Sequence, residues 1–154
     1  MSKELYLMVG VPGSGKSFYA KNVLKDGSWV SRDAVRFSMV NEDEEYFSKE
    51  KEVFQEWIRQ IQEKLDDTTS QRIIADATHA TKKSRMKTLD ALKIPAGTKV
   101  IPVWMNNTPL HLCLERNSKR KGRERVPMKV ISQMYAFSSK PNLNEYEYYV
   151  IMEP

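Results

Sequence analysis

The stretch Gly10-Val11-Pro12-Gly13-Ser14-Gly15-Lys16-Ser17 governs the interpretation of this 154-residue chain. Its residues fit G-x-x-x-x-G-K-[ST], the phosphate-binding loop that joins a strand to a helix. The apolar run Leu5–Val9 before it predicts a buried parallel strand, and residues 17–24 after it predict a helix. The motif therefore has the strand, loop and helix context that it requires.

The chemistry of such a loop indicates which residues would bind a nucleoside triphosphate. Glycines at 13 and 15 allow backbone N–H groups near Ser14 to approach phosphate oxygens that a Cβ atom would obstruct. The helix that follows contributes orphan N–H donors and the positive end of its dipole. Lys16 is predicted to reach the β- and γ-phosphates and Ser17 to ligate Mg²⁺, so we expect ATP or another triphosphate with Mg²⁺.

Composition predicts a single domain, residues 1–154, with an uneven charge distribution. The net charge is +5, yet residues 41–52 are acidic and residues 116–129 hold seven basic side chains and one acidic one. This asymmetry predicts an anionic partner besides the nucleotide. The single cysteine, Cys113, suits a reducing compartment. The absence of a signal-peptide pattern or a long apolar run leads us to expect a cytoplasmic protein without a membrane partner.

Beyond the loop, strand and helix patterns alternate, which predicts an α/β fold with a parallel sheet covered on both faces. A long amphipathic helix from Ser48 has Trp57 on its apolar side, predicted to be core. A helix starting at Pro109 is expected to end near Gly122, as part of a basic helical lid over residues 116–126. The sheet is predicted to have about five strands, at residues 5–9, 29–31, 72–76, 99–104 and 148–152.

Two carboxylates follow predicted strands, at the sheet edge where α/β proteins bind ligands. Asp33 is the candidate general base that accepts the proton of an attacking hydroxyl, and Arg36 could hold a phosphate on the acceptor. The alternative is that Asp33 only caps the next helix. Asp76 could hold Mg²⁺ through water, or could simply be a hydrogen-bonding residue of a loop.

The basic segment offers a second group of candidates. Arg116 and Arg120 are four residues apart and would share one helix face. Positioned arginines stabilise the charge of a phosphoryl group in transfer, although a solvated helix face has a similar composition. Gly122 would provide a hinge. His79 and His111 have no partners at metal-ligand spacing and are interpreted as structural or surface residues.

These residues together resemble the kinase domain of phage-type polynucleotide 5′-hydroxyl kinases, from Leu5 to about Lys140. The resemblance implies a P-loop kinase fold. The matching pieces are residues 12–17, Arg32-Asp33 with Arg36, Asp76, Arg116-Asn117-Ser118-Lys119-Arg120, Val126-Pro127 and Met134-Tyr135. The resemblance implies that Lys16 and Ser17 carry the nucleotide and Mg²⁺, that Asp33 activates the 5′-hydroxyl of a DNA or RNA end, and that Arg36 binds the acceptor's 3′-phosphate. It likewise implies that Arg120 engages the donor phosphates and that Asp76 lies near the acceptor.

The sequence departs from that family in the lid, which looks one residue longer, and at His79, where relatives often carry Asn. The Asp-x-Asp-Gly-Thr phosphatase motif that follows the kinase domain of the phage enzymes is not in this sequence. Two other functions remain open. One is a kinase of a small hydroxylated metabolite or nucleoside, and the other is a nucleotide-binding module without efficient transfer.

Overall fold

The computed structural model describes residues 3–154, which form an α/β domain around a parallel sheet. The sheet has four strands in the order β2-β3-β1-β4. Their bounds are β1 Glu4–Val9, β2 Ser28–Ser31, β3 Arg72–Asp76 and β4 Lys99–Trp104. The predicted fold class is confirmed, and the carboxyl ends of β1, β2 and β3 lie side by side because these strands are neighbours in the sheet.

Helices cover both faces of the sheet. They are α1 Lys16–Asn22, α2 Arg32–Met39, α3 Glu50–Asp66, α4 Lys82–Asp90, α5 Leu110–Ser118 and α6 Met128–Phe137. Alternate residues of β1 face opposite sides, as strand geometry requires. Leu5 and Leu7 join the core formed with α2, α3 and α4, whereas Tyr6 and Met8 pack on the α1 side.

The longest helix, α3, confirms the amphipathic pattern of the sequence. Its inward residues Val53, Trp57, Ile61 and Leu65 recur every four positions and are at most 1% exposed. The indole Nε1 of Trp57 donates to the carbonyl of Val30 at 3.0 Å, so the buried polar atom of this side chain is satisfied. Trp57 is a core residue, as predicted.

The predicted fifth strand at residues 148–152 is wrong. The segment lies along β4, where the backbone N–H groups of Tyr149 and Met152 donate to Val100 and Pro102 carbonyls at 2.9 Å. Only one isolated parallel bridge forms, between Val103 and Met152. The physical reason is Pro102, which has no N–H to donate on the edge of β4 that faces this segment.

The lid also differs from the prediction, because its helix ends before the expected position near Gly122. The helix α5 ends at Ser118, and a short 3-10 helix, Gly122–Glu124, follows before α6. Gly122 has a φ of 63°, a left-handed conformation that interrupts helical geometry. Pro109 and Pro127 are the residues before α5 and α6, and not their first helical residues. Within residues 3–154, no helix combines the length and apolar character needed to cross a bilayer.

Candidate active site

The phosphate-binding loop lies between β1 and α1, with two glycines in left-handed conformations. Gly13 has a φ of 86° and Gly15 a φ of 96°. A Cβ atom on Gly13 would lie 2.3 Å from the carbonyl oxygen of Cys113, so this position accepts only glycine. Thr108 Oγ1 donates to the carbonyl of Ser14 at 3.0 Å and fastens the loop to the segment after β4. Cys113, the single cysteine of the chain, is buried.

A cavity of about 610 Å³, the loop cavity, opens above this loop. Residues 13–17 form its floor, and both predicted lid arginines, Arg116 and Arg120, line it. The Nη1 of Arg116 donates to the carbonyl of Gly13 at 3.2 Å. The fold therefore brings the loop and both arginines to one cavity, as their predicted roles require.

Lys16, Ser17 and Asp76 form a cluster at the inner end of the loop. Lys16 Nζ lies 3.8 Å from Asp76 Oδ1, and Ser17 Oγ donates to Asp76 Oδ2 at 3.2 Å. Asp76 is 3% exposed, and its Oδ1 has no hydrogen-bond partner. A buried carboxylate oxygen without a partner beside a hydroxyl suits a hard cation such as Mg²⁺.

No group of three His, Cys, Asp or Glu side chains that could hold a metal occurs in the part of the chain that the structure describes. Mg²⁺ does not need such a group, because it commonly takes one or two protein oxygens and completes its shell with water and substrate phosphates. The oxygens of Ser17 and Asp76 suit Mg²⁺ bound together with a nucleotide.

A second cavity, of about 230 Å³, holds the other predicted residues and is called the carboxylate cavity. Lys16, Asp33, Arg36 and Asp76 all line it. The Asp33 side chain is 48% exposed. Its Oδ1 accepts hydrogen bonds from Arg36 Nη1 and from the Tyr46 hydroxyl, the latter at 3.3 Å. Asp33 therefore has one oxygen fixed by donors and a side chain accessible from the cavity.

Asp33 does not cap α2. The helix begins at Arg32, and its N-cap is Ser31, whose side chain accepts from the backbone N–H of Ala34 at 3.2 Å. Asp33 lies in the first turn, where a carboxylate interacts favourably with the helix dipole. Its side chain is thus free of the structural role that was the alternative to catalysis.

Arg36 is buried in a network of opposite charges. Its Nε and Nη2 donate to the two oxygens of Glu50 at 2.7 Å and 3.0 Å, a bidentate pair. Burial opposes the charged form of Arg36, but the hydrogen bonds that Arg36 donates to Glu50 raise its pKa above the ordinary value. Burial, followed by the charge of Asp33, raises the pKa of Tyr46 to about 12. Arg36 is only 6% exposed and already balanced by Glu50, which the sequence did not indicate.

The lid contacts α2 across an apolar groove of about 380 Å³, the ring groove. Phe37, Tyr46, Phe47 and Val126 are among its lining residues, and three of these four are aromatic. The guanidinium of Arg123 lies over the Phe37 ring, 4.5 Å from its centroid. Tyr46, Phe47 and Val126 also line the carboxylate cavity, so the two cavities are adjacent.

His79 supports the loop after β3. It is 3% exposed, its Nδ1 is 2.9 Å from the carbonyl oxygen of Met8, and its Nε2 is 2.9 Å from Thr88 Oγ1. Burial lowers the pKa of His79 to about 4, so the ring is neutral at physiological pH. This confirms the structural interpretation for His79, while His111 is exposed on α5.

Three residues of the site were not identified from the sequence: Trp29, Tyr46 and Glu50. Trp29 Nε1 donates to Asp76 Oδ2 at 2.8 Å. Tyr46 contacts both Arg36 and Asp33, and Glu50 contacts Arg36. The aromatic pair at 46 and 47 was a visible signal, because it interrupts an acidic, otherwise polar stretch. Nothing local marks Glu50 or Trp29, whose partners are distant in sequence.

The comparison with solved structures gives two kinases and an RNA repair complex, all at low identity. A fungal RNA kinase matches with a TM-score of 0.68 at 10% identity, over 99% of this chain and 74% of that one. The Pnkp1/Rnl/Hen1 RNA repair complex matches with a TM-score of 0.72 at 20% identity, over 88% of this chain and 44% of that one. A gluconokinase from Sinorhizobium meliloti 1021 has a TM-score of 0.60 at 16% identity, over 97% and 81% of the two chains.

These likenesses show the fold and leave the acceptor open, since the chain spans less than half of the RNA repair chain and resembles a gluconokinase as well. No curated protein sequence matches. A family model described as an AAA domain, AAA_33, matches residues 5–141, which is most of the chain. The chain therefore belongs to the AAA_33 family, and its fold is that of a P-loop kinase domain.

Proposed function

We propose that this protein is an ATP- and Mg²⁺-dependent phosphotransferase that phosphorylates the 5′-hydroxyl end of a nucleic acid. The observation that carries the proposal is the carboxylate cavity, because Asp33, Lys16 and Asp76 all line it. A donor phosphate over the loop and an acceptor hydroxyl beside Asp33 would meet in that cavity. Phosphoryl transfer needs this juxtaposition more than any other feature, because positioning and charge stabilisation supply most of the catalysis.

Each residue then has a definite role. The acceptor oxygen attacks the γ-phosphorus, the bond from that phosphorus to the β–γ bridging oxygen breaks, and the hydroxyl proton passes to Asp33. Lys16 balances charge on the β- and γ-phosphates. Arg116 and Arg120 stabilise the same charge from the lid side of the loop cavity. Ser17 and Asp76 would hold Mg²⁺, which neutralises phosphate charge when bound.

The acceptor class rests on the surroundings of the carboxylate cavity. The neighbouring ring groove offers aromatic surfaces at Tyr46 and Phe47, on which the base of a nucleotide can stack. Basic residues of the lid border the groove at Arg123 and Arg125, where a phosphodiester backbone would be attracted. A polynucleotide end uses both features, whereas a small polyol uses neither.

A kinase of a small hydroxylated metabolite is the second candidate, and one observation favours it. Glu50 and Asp33 already neutralise Arg36, so an acceptor phosphate would have to share this guanidinium or displace a carboxylate. An uncharged small acceptor would leave the network unchanged. The two candidates therefore differ in whether a 3′-phosphate on the acceptor improves the reaction.

The test uses γ-labelled ATP and Mg²⁺ with a panel of acceptors: 5′-hydroxyl DNA and RNA oligonucleotides, a nucleoside, its 3′-monophosphate, and gluconate. We expect label on the oligonucleotides and on the 3′-monophosphate, with much less on the plain nucleoside. Lys16→Ala is the control for contaminating kinases. Label on gluconate, or on nucleoside and 3′-monophosphate equally, would overturn the nucleic-acid proposal. Nucleotide binding without transfer to any acceptor would indicate a binding module.

A further inference from the structure

The indole of Trp29 makes a contact that neither the loop motif nor the proposed function requires. Trp29 lies on the edge strand β2, where its Cα is paired with Ile74 in the parallel register. Asp76 is two residues further along β3 and therefore projects from the same face of the sheet. The indole reaches this diagonal neighbour, and its Nε1 donates to Asp76 Oδ2 at 2.8 Å.

Two donors converge on the same oxygen of Asp76. Besides Trp29, Ser17 Oγ donates to Oδ2 at 3.2 Å. The other oxygen, Oδ1, is buried, has no hydrogen-bond partner, and lies 3.8 Å from Lys16 Nζ. A carboxylate held through one oxygen in this way keeps a fixed rotation and presents the second oxygen to the loop side.

The same arrangement determines what Ser17 can offer. A serine hydroxyl has one proton to donate and two acceptor lone pairs. Because Ser17 gives its proton to Asp76 Oδ2, its lone pairs remain available for a cation. Trp29 donates to the oxygen that accepts this proton, so its indole N–H contacts the group that links the two candidate Mg²⁺ ligands.

Packing does not account for the position of Trp29. Its side chain is 44% exposed and lies on the edge strand of the sheet, outside the buried clusters of the core. The indole N–H of Trp29 lies at hydrogen-bond distance from the buried carboxylate of Asp76, although the side chain contributes little buried area. This combination indicates that Trp29 orients the carboxylate.

We propose that Trp29 is a positioning residue for the Mg²⁺ site, holding Asp76 through Oδ2 so that Oδ1 and the Ser17 hydroxyl face the bound ion. This inference rests on the proposed binding of Mg²⁺ with a nucleotide. It adds that Trp29, which is not itself a ligand, orients the side chains that would bind the ion. Partners of metal ligands typically change metal affinity by 10- to 100-fold when removed. We expect about a tenfold effect, since Ser17 remains as a second donor to Oδ2.

The experiment measures how Mg²⁺ strengthens binding of a non-hydrolysable ATP analogue, by calorimetry, in wild-type protein and in Trp29→Phe. The variant keeps an aromatic ring on β2 and removes the N–H together with part of the bicyclic indole. Without Mg²⁺ the two proteins should bind the analogue equally, whereas the Mg²⁺ concentration for half-maximal enhancement should rise about tenfold in Trp29→Phe. Trp104→Phe is the matched control, because it removes another indole N–H, bonded to Asn107 at 3.0 Å outside the three cavities.

A double-mutant cycle with Asp76→Ala separates positioning from a general effect on folding. If Trp29 acts through Asp76, Trp29→Phe should have no further effect on the Mg²⁺ requirement once Asp76 is Ala, because alanine offers no oxygen for the indole N–H to hold. An unchanged Mg²⁺ requirement in Trp29→Phe, or an equal change in Trp104→Phe, would overturn the positioning role while leaving the kinase proposal intact. Failure of the wild-type protein to bind the analogue at all would instead overturn the proposed function.

Discussion

Replacing Asp33 by Asn should separate nucleotide binding from phosphoryl transfer. The two side chains have the same shape, and an Asn oxygen at the Oδ1 position can still accept hydrogen bonds from Arg36 and Tyr46. The second oxygen is replaced by an amide nitrogen, which cannot take up the proton of an acceptor hydroxyl. We therefore expect the fold and the network around Arg36 to persist without the general base.

The expected losses of kcat and of stability differ in size. A general base contributes typically 10²- to 10⁴-fold, so kcat should fall by that factor, which corresponds to about 2.7–5.4 kcal/mol in the barrier. Stability should change little, by about 0–1 kcal/mol, since the Asp33 side chain is 48% exposed and Arg36 keeps its bidentate bond to Glu50. By contrast, Ser31→Ala removes the actual N-cap of α2 and should lower the free energy of unfolding by about 1 kcal/mol.

The assay combines kcat and KM for a 5′-hydroxyl oligonucleotide with the affinity for an ATP analogue and the urea midpoint of unfolding. Asp33→Asn should lose kcat while the affinity and the urea midpoint stay near the wild-type values. Retention of kcat would refute the assignment of Asp33 as the base. A loss of stability larger than that of Ser31→Ala would show that Asp33 has a structural role instead.

Three further variants test other parts of the site. Lys16→Ala should nearly abolish phosphoryl transfer, because it removes the charge that balances the donor phosphates, while circular dichroism should show a folded protein. Full activity of the folded variant would contradict the placement of the active site at this loop. Arg36→Ala should raise KM for 5′-hydroxyl oligonucleotides and nucleoside 3′-monophosphates more than removal of the exposed Lys51, and Arg36→Lys should restore only part; a KM equal to that of Lys51→Ala would contradict phosphate recognition. The pKa of His79 is about 4 in the folded protein and 6.5 for a free imidazole, so the unfolded chain takes up the proton at a higher pH than the folded one. The free energy of unfolding should therefore fall by up to about 3 kcal/mol as the pH is lowered from 6.5 towards 4. Urea unfolding of His79→Asn, which tolerates the left-handed backbone at this position, should show a shallower decline; parallel curves would refute the role of His79.

The elements that depend on local sequence were predictable. The bounds of β3 and β4 agree with their apolar runs, and the loop at residues 10–17 has the left-handed glycines that its motif implies. Periodicity and backbone freedom act over a few residues, so they can be recognised without knowing the fold. The fifth strand was mispredicted, although Pro102, which prevents regular pairing there, is visible in the sequence. The apolar pattern of residues 148–152 was considered alone, without the edge of β4 that would have to pair with it.

The arrangement of the site was decided by tertiary structure. Arg36 and Glu50 are 14 positions apart, and Trp29 and Asp76 are 47 apart. The sequence alone determined that a phosphate-binding loop, a following Asp33 and a basic segment exist in one α/β chain. Which oxygen of Asp76 stays unpartnered, and which carboxylate balances Arg36, depends on strand register and on the packing of α3 against α2. Such contacts join residues that only the folded chain brings within hydrogen-bond distance, and no local pattern encodes them.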